Sequence, residues 1–382
     1  MNRNVKDIIA RTLIWGSAAI TASMLLIIVG FIISNGWRLI NWDFLTRDAN
    51  DTLRIVHVDT TITNIRAEDD DLIIDGLGLT LRKVDDYGIK IINVERDSPA
   101  KNAKDNAGEV FRIRNGQVLE GFGSSRLNAN TELTDVAEII NAHDGIITMR
   151  VRQLGGGIFP MLVSTLLLII VTLTIATPIA VLAAIYMTEY AKQGRIVSTI
   201  RFAIEILAGL PSVVHGLFGM LFFVRLLGLG TSLLSGGLTM TILLLPIMIR
   251  STEEALKTVP NSYREASLGL GANKIQTIRK VILPSAIPGI TIGIILSIGR
   301  IVGESAALLF TVGTFARLPI NPASGNLSIF ETGATMTLRA FIEVQEFGNI
   351  EKASAIGIVI LVIVFGLNML SKIVSKKFNK AV

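Results

Sequence analysis

The chain has no cysteine and only three histidines, His57, His143 and His215, set far apart. Disulfides and thiolate metal sites are therefore excluded, and the close spacing of a histidine metal site is missing. None of the histidines is followed by Glu, so the His-Glu-x-x-His zinc site of an intramembrane metalloprotease is absent. A serine intramembrane protease would have to use His215, and no other residue supports it. There is no Gly-x-x-x-x-Gly-Lys-Ser/Thr; Gly271-Ala272-Asn273-Lys274 lacks the spacing and the leading loop. Any ATP hydrolysis must then belong to another subunit. Charge is scarce as well: 18% of the 382 residues are charged and 50% are apolar. That balance excludes a disordered chain and argues against an ordinary soluble enzyme.

The few charges are unevenly spread. Residues 47–153 carry 14 Lys/Arg against 19 Asp/Glu, which leaves 22 against 12 for the rest of the chain. A net acidic, water-soluble domain inserted into a membrane protein fits this pattern. Outside it, Lys and Arg sit in short clusters between apolar runs, as in membrane proteins rather than nucleic-acid binders.

A hydrocarbon core of roughly 30 Å needs about 20 apolar helical residues. Thr12–Gly36, Ile158–Thr188, Ile206–Val224, Leu226–Ile249 and Val281–Gly299 contain no charge, the fifth run continuing past Arg300 and Glu304 to Ala316. Ala353–Ser371 is the last such run. The expectation is an α-helical polytopic membrane protein with six spans. The first run is too long for a signal-peptide core, and Asn35-Gly36-Trp37 is a poor cleavage site. Basic clusters before the first span, at 189–201, at 250–285 and after the sixth put both termini and those loops in the cytoplasm. Residues 47–153 and the 313–352 loop then face outside. The expected division is 1–46 for the tail and first span, 47–153 for the extracytoplasmic insert, and 154–382 for a core with five spans.

The cytoplasmic loop 251–285 reads Arg264-Glu265-Ala266-Ser267-Leu268-Gly269-Leu270-Gly271, then nine residues, then Val281-Ile282-Leu283-Pro284. Tyr263–Leu268 favours helix, Gly271 breaks it, and a second helix over Asn273–Ile282 should end near Pro284. Two short helices joined by a glycine make a docking knob. The spacing resembles the EAA loop of ABC-importer permeases, with Ser267 in place of the second Ala and Val281 in place of Ile. The resemblance implies a type I ABC importer permease fold. It also implies that Glu265, Ala266, Ser267, Gly271, Leu283 and Pro284 couple the chain to an ATPase.

Further stretches resemble the permease of the phosphate ABC importer. They are Gly155-Gly156-Gly157-Ile158-Phe159-Pro160, Leu207-Ala208-Gly209-Leu210-Pro211-Ser212-Val213-Val214, Arg250-Ser251-Thr252-Glu253-Glu254-Ala255-Leu256 and Gly303-Glu304-Ser305-Ala306-Ala307-Leu308-Leu309-Phe310-Thr311. The last is closer to the PstA-type subunit than to its PstC-type partner. Ser305 and Ala307 stand where family members often have Thr and Pro. The resemblance implies a PstC-type permease chain, a PstB-type ATP-binding dimer using ATP and Mg, and a PstS-type phosphate-binding protein as partners. It implies no cofactor on this chain, membrane lipid as its surroundings, and no nucleic acid. Sulfate and molybdate permeases share the EAA loop, so another oxyanion stays open, as does a non-transporting sensor.

Ionisable residues inside spans tend to mark a pathway. Arg300 and Glu304 lie four apart, on one helix face. A guanidinium binds two phosphate oxygens at once, and a neighbouring carboxylate would keep that binding weak enough for release. Arg300 and Glu304, with Arg250 at the cytoplasmic end of the fourth span, are the candidate translocation path; an internal ion pair is the other reading. His215 reads as a hydrogen-bonded packing histidine. Gly209, Gly216, Gly219, Gly289, Gly293 and Gly303 suit close helix packing.

The insert alternates like strands over Leu72–Asp75, Leu77–Leu81, Gly88–Val94, Val110–Arg114 and Gly145–Val151, with a tight turn at Asn115-Gly116 and an amphipathic helix over Leu133–Asn141. Leu77-Gly78-Leu79-Thr80, Tyr87-Gly88-Ile89-Lys90-Ile91, Asp97-Ser98-Pro99-Ala100 and Ala107-Gly108-Glu109-Val110 resemble a PDZ domain of the bacterial type. That resemblance implies an α+β fold and a peptide groove between Gly88, Ile89, Lys90 and Ile91 on a strand and Val136 and Ile140 on the helix, open to a peptide or protein partner. Residues 47–73 have no place in it.

Overall fold

The computed structural model describes residues 3–379 except 50, 60–63, 69, 85–87, 106–107, 109, 129–130, 142–146, 154 and 193. His143 and, in the PDZ-like pattern, Tyr87, Ala107, Glu109 and Gly145 lie outside the described residues, as does Lys380 of the basic tail. The chain divides into two compact units, Met1–Thr46 with Ile158–Val382, and Arg47–Gly157.

In the first unit, five helices are long and apolar enough to cross a membrane: Arg11–Leu39, Phe159–Tyr190, Leu233–Lys257, Lys274–Gly303 and Ile350–Ile373. A sixth crossing is made if Arg195–Gly209 and Ser212–Leu226 count as one span, for that pair is bent by 100°. The straight third span expected over 206–224 is therefore corrected to two helices. Pro211 causes the break: its ring drives the preceding residue out of the helical region, and Leu210 lies at φ −72°, ψ 136°.

The fifth run also departs from expectation, at both ends. Its helix stops at Gly303, Glu304 is extended, and only Ala306–Leu309 resumes a short helix. At the start, Pro284 does not end the loop's second helix. Lys274–Thr277 continues through a π turn, Ile278–Ile282, into Leu283–Gly303. A π turn just before a proline loosens the backbone where the proline N–H is missing, and the helix runs on past Pro284. The 313–352 loop contains a helix of its own, Met336–Gln345, capped by the Thr335 side chain.

Glycines bring these helices together. A Cβ on Gly236 would lie 2.1 Å from Val312, on Gly219 2.1 Å from Thr239, and on Gly293 2.2 Å from Ser251. Gly216 and Gly289 pack the same way, against Ala307 and Ala255. Gly209 and Gly303 do not: nothing approaches them, and both are the last residue of a helix that breaks.

The second unit is one antiparallel sheet with one α-helix, Leu133–Asn141, and a short 3-10 turn, Pro99–Asn102, among the described residues. Its strands are β1 (Thr52–Val58), β2 (Ile65–Glu68), β3 (Asp71–Ile74), β4 (Leu79–Val84), β5 (Gly88–Val94), β6 (Ala103–Asp105), β7 (Val110–Phe111), β8 (Val118–Phe122), β9 (Ser125–Arg126) and β10 (Ile147–Gln153). The order is β2-β3-β4-β5-β8-β10-β1-β6-β7, with β9 on β8. Alternation puts Leu79, Leu81, Ile89, Ile91, Met149 and Val151 in the core, beside Val136 and Ile140 of the helix. β1 pairs β10 from Thr52↔Gln153 to Val58↔Ile147, so the two ends of the unit are neighbours. Gly156 N–H to Ala49 and Gly157 N–H to Asp48, each 3.0 Å, continue the pairing. A unit whose ends adjoin can be inserted into a loop without strain.

Candidate functional site

The loop expected to couple the chain to an ATPase is a helix, Asn261–Gly269, a turn, and the helix beginning at Lys274. Gly271 holds φ +83°, a left-handed conformation that a side chain would disfavour, and so permits the sharp reversal. Asn273 then starts the second helix with reciprocal 2.9 Å bonds to Gln276. Glu265 and Ala266 are exposed. Ser267 is half-buried, with Oγ 2.9 Å from Thr277 Oγ1, which ties the two helices together. Leu283 is half-buried and Pro284 exposed, in the first turn of the long helix. Around the turn stand Leu268, Leu270 and Ile275; Leu270 is 90% exposed. An exposed apolar cluster on a polar loop is what a partner surface covers.

Arg264 anchors this knob. Its Nη2 lies 2.7 Å from Glu189 Oε1 and 2.9 Å from the Leu256 carbonyl, and its Nη1 donates to the Val259 carbonyl at 2.7 Å. Both side chains are largely buried. Glu189 belongs to the π turn Tyr186–Tyr190 that ends the second span. Lys274 adds a second tie, with Nζ 4.9 Å from the centre of the Tyr190 ring. The loop is thus tied to the second and fourth spans at once.

The candidate path residues form two pairs. Arg300 Nη2 lies 3.4 Å from Glu304 Oε2, as the spacing implied. Glu304 sits past the helix end, however, and its buried carboxylate also accepts from the Ala307 N–H at 3.4 Å. Arg250 pairs instead with Glu205 of the bent third span, at 3.5 Å. Both guanidiniums remain half exposed, so each keeps donors free. No recorded contact joins the two pairs among the described residues. The fourth and fifth spans cross where Gly293 meets Ser251. Arg300, seven residues beyond that crossing, stands about 10 Å further along the axis than Arg250. His215 is buried, with Nδ1 3.3 Å from the Pro211 carbonyl.

Residues 176–382 match the family described as the binding-protein-dependent transport system inner membrane component. The chain belongs to that family. It is an inner-membrane, multi-pass permease, and membership implies an ATPase and a substrate-binding protein as partners. A probable ABC transporter permease protein of Bacillus subtilis, YqgI, is 41% identical over 225 residues, covering 56% of this chain and 76% of that one. The phosphate transport system permease protein PstA 1 of Mycobacterium tuberculosis is 37% identical over 177 residues, covering 46% of this chain and 58% of that one. Among solved structures, the methionine ABC transporter MetNI in an inward-facing conformation aligns with 58% of this chain and 94% of its own, at 19% identity and a TM-score of 0.44.

The family match lies wholly within the membrane unit of this permease, leaving Arg47–Gly157 outside it. In that unit the expected peptide groove is closed. β5 bonds to β4 on one side and β8 on the other, and β3 takes the remaining edge of β4. The helix Leu133–Asn141 contacts β3. Ile89, Ile91, Val136 and Ile140 are buried core, and Gly88 and Lys90 lie on β5, where Lys90 pairs on both sides, with Arg82 of β4 and Val118 of β8. The segment that had no place, 47–73, supplies β1, β2 and most of β3, and β3 pairs the edge of β4 away from β5.

Proposed function

We propose that the chain is the PstA-type subunit of an ATP-driven phosphate importer. The coupling loop carries the reading: a helix, a left-handed Gly271 and a second helix present Leu268, Leu270 and Ile275 for an ATPase surface, while Arg264 fastens the knob to two spans. The likeness to PstA 1 favours phosphate. The remaining partners are a PstC-type permease chain, a PstB-type ATPase dimer that uses ATP and Mg, and a PstS-type binding protein. The loop and both termini face the cytoplasm, and Arg47–Gly157 faces outside. When the ATPase dimer closes, Glu265, Ala266 and Ser267 move with it, and Leu283 and Pro284 pass that motion into the fifth span. Arg300 and Arg250 offer half-exposed guanidiniums at two depths, and Glu304 and Glu205 weaken each enough for the anion to leave.

The test is uptake of radiolabelled phosphate at micromolar concentration in cells with and without the chain. Loss of uptake that arsenate competes and sulfate does not is the expected result. Competition by sulfate or molybdate would assign another oxyanion, and unchanged uptake would favour a sensor. Arg300→Gln, in a well-expressed complex, should slow uptake at least about tenfold; a wild-type rate would reduce Arg300–Glu304 to an internal ion pair.

A further inference from the structure

The unit Arg47–Gly157 is net acidic, yet one cleft in it is strongly basic. Arg96, Lys101, Arg112 and Arg114 line a cavity of about 530 Å³ together with Asp97, Ser98, Asn102 and Ile113. Four cations thus face one carboxylate. One wall is the end of β5 with the turn Pro99–Asn102; the other is the segment 112–114 after β7. The Ile113 N–H to Ala100 carbonyl bond, 3.4 Å, joins the walls, and Arg114 N–H is held by Gln117 Oε1 at 3.0 Å. Lys101 Nζ donates to the Arg96 carbonyl at 3.2 Å, which draws its charge toward Arg96.

Like charges gathered this way repel unless an anion joins them. Among the described residues no carboxylate pairs with Arg96, Arg112 or Arg114, although the same unit pairs Arg54, Arg66, Arg82 and Arg152. Among the lining residues Ser98 is 4% exposed, and its Oγ is buried without a hydrogen-bond partner among the described residues. A buried hydroxyl left unpaired costs roughly 1–3 kcal/mol and calls for an explanation. The cavity has the size of a small-ligand site. Planar guanidinium forks, an ammonium and one hydroxyl donor are the groups that bind a phosphate's oxygens.

We infer that this cleft binds a phosphate-bearing anion, with Ser98 donating to one oxygen and Arg96, Arg112 and Arg114 holding the others. The cleft belongs to a different unit from Arg250, Arg300 and Glu304, and the inference does not depend on what the permease transports. Two sources supply this chemistry, free inorganic phosphate and the headgroup of an acidic phospholipid.

The experiment is hydrogen exchange with mass-spectrometric readout on the full-length chain. One arm uses detergent micelles with and without millimolar inorganic phosphate; the other uses lipid nanodiscs of phosphatidylglycerol or of phosphatidylcholine alone. Protection confined to 96–102 and 112–114 is expected. Its appearance with inorganic phosphate identifies the free ion, and its appearance only in phosphatidylglycerol identifies the headgroup. The double variant Arg112→Gln, Arg114→Gln should raise the phosphate or lipid concentration needed for protection by roughly tenfold or more, and Ser98→Ala by roughly fivefold. Both alter side chains at the cleft alone, and unchanged exchange in β4, β5 and β8 verifies the fold. Protection should persist in Arg300→Gln, which separates the cleft from the path. Absence of protection in both arms, or equal protection in the double variant, overturns the inference.

Discussion

The two units of this permease solve opposite packing problems. In Arg47–Gly157 the large apolar side chains are inside: Phe122, Leu77, Leu79, Ile74 and Met149 are almost wholly buried. Leu53 and Val110 are its exposed large hydrophobics among the described residues. In the helical unit, Leu13, Leu26, Leu182, Val362 and Phe365 stand about two-thirds exposed, while Ser164, Thr172, Ser235, Thr239 and Ser297 are buried. Lipid offers aliphatic side chains as good a surrounding as the protein does, so the helices associate through glycine contacts and close backbone approach. Three of these hydroxyls are satisfied locally: Ser235 donates to the Gly230 carbonyl, and Thr239 and Ser297 donate to carbonyls one turn back. The lesson is that hydrophobicity alone does not tell inside from outside; the solvent of each unit does.

The sharpest way to break this comparison is to empty the β core. Phe122→Ala should destabilise Arg47–Gly157 by about 4 kcal/mol. Limited proteolysis should then cut within 52–153 while the helical unit stays intact. Simultaneous loss of both would mean that they fold as one cooperative body.

Next comes a matched pair of surface changes. Leu26→Asp should cost about 3 kcal/mol of membrane insertion. Leu53→Asp, at a similarly exposed leucine of the β unit, should stay within about 0.5 kcal/mol. The first is read by glycosylation-tagged insertion, the second by thermal melting, and equal effects would erase the distinction.

A change of comparable size tests the latch on the coupling loop. Arg264→Met leaves the buried Glu189 unpaired, and should cost about 3 kcal/mol in thermal stability. The double variant Arg264→Met, Glu189→Gln should recover most of it. If it also recovers ATP-dependent transport, the pair serves folding alone; if transport stays low, the pair carries the loop's motion.

The smallest effect is a pH dependence confined to the β unit. Arg82 hydrogen-bonds Asp71 through Nε and Nη2, at 2.6 and 2.8 Å, and holds that carboxyl below its usual range. A carboxylate with a lowered folded-state pKa stabilises fully above its unfolded value, near 4, and the contribution is lost as pH falls through the folded value. The pair is solvent-exposed and therefore weak. Arg82→Gln should flatten this part of the acid-unfolding curve; an unchanged curve would show that the pair contributes nothing measurable.

Much of this architecture is legible locally in the sequence. Charge-free runs locate five of the crossings, and the helix–turn–helix of the loop between the fourth and fifth spans is readable from Gly271, which breaks it. The bend at Leu210-Pro211 was also legible, since the residue before proline leaves the helix, but the charge-free run around it concealed the break. Proline alone is not a reliable stop here: Pro178, Pro246 and Pro288 all lie inside helices. Pairs distant in sequence leave no such trace. Nothing in the residues around Glu189 announces Arg264, 75 positions away. The peptide groove expected between β5 and the helix is not formed for the same reason: pairing of Lys90 with Val118, and the helix's contact with β3, join residues distant in sequence.

Orientation is the claim on which the rest depends, and the cysteine-free chain makes it directly measurable. Ser124→Cys, exposed in the β unit, and Leu270→Cys, at the tip of the coupling loop, would each carry the sole thiol. A membrane-impermeant maleimide on intact cells, or on spheroplasts where an outer membrane exists, should label Ser124→Cys at once and Leu270→Cys only after permeabilisation. The reverse order, or labelling of both from one side, would contradict a permease with its insert outside and its coupling loop facing an ATPase within.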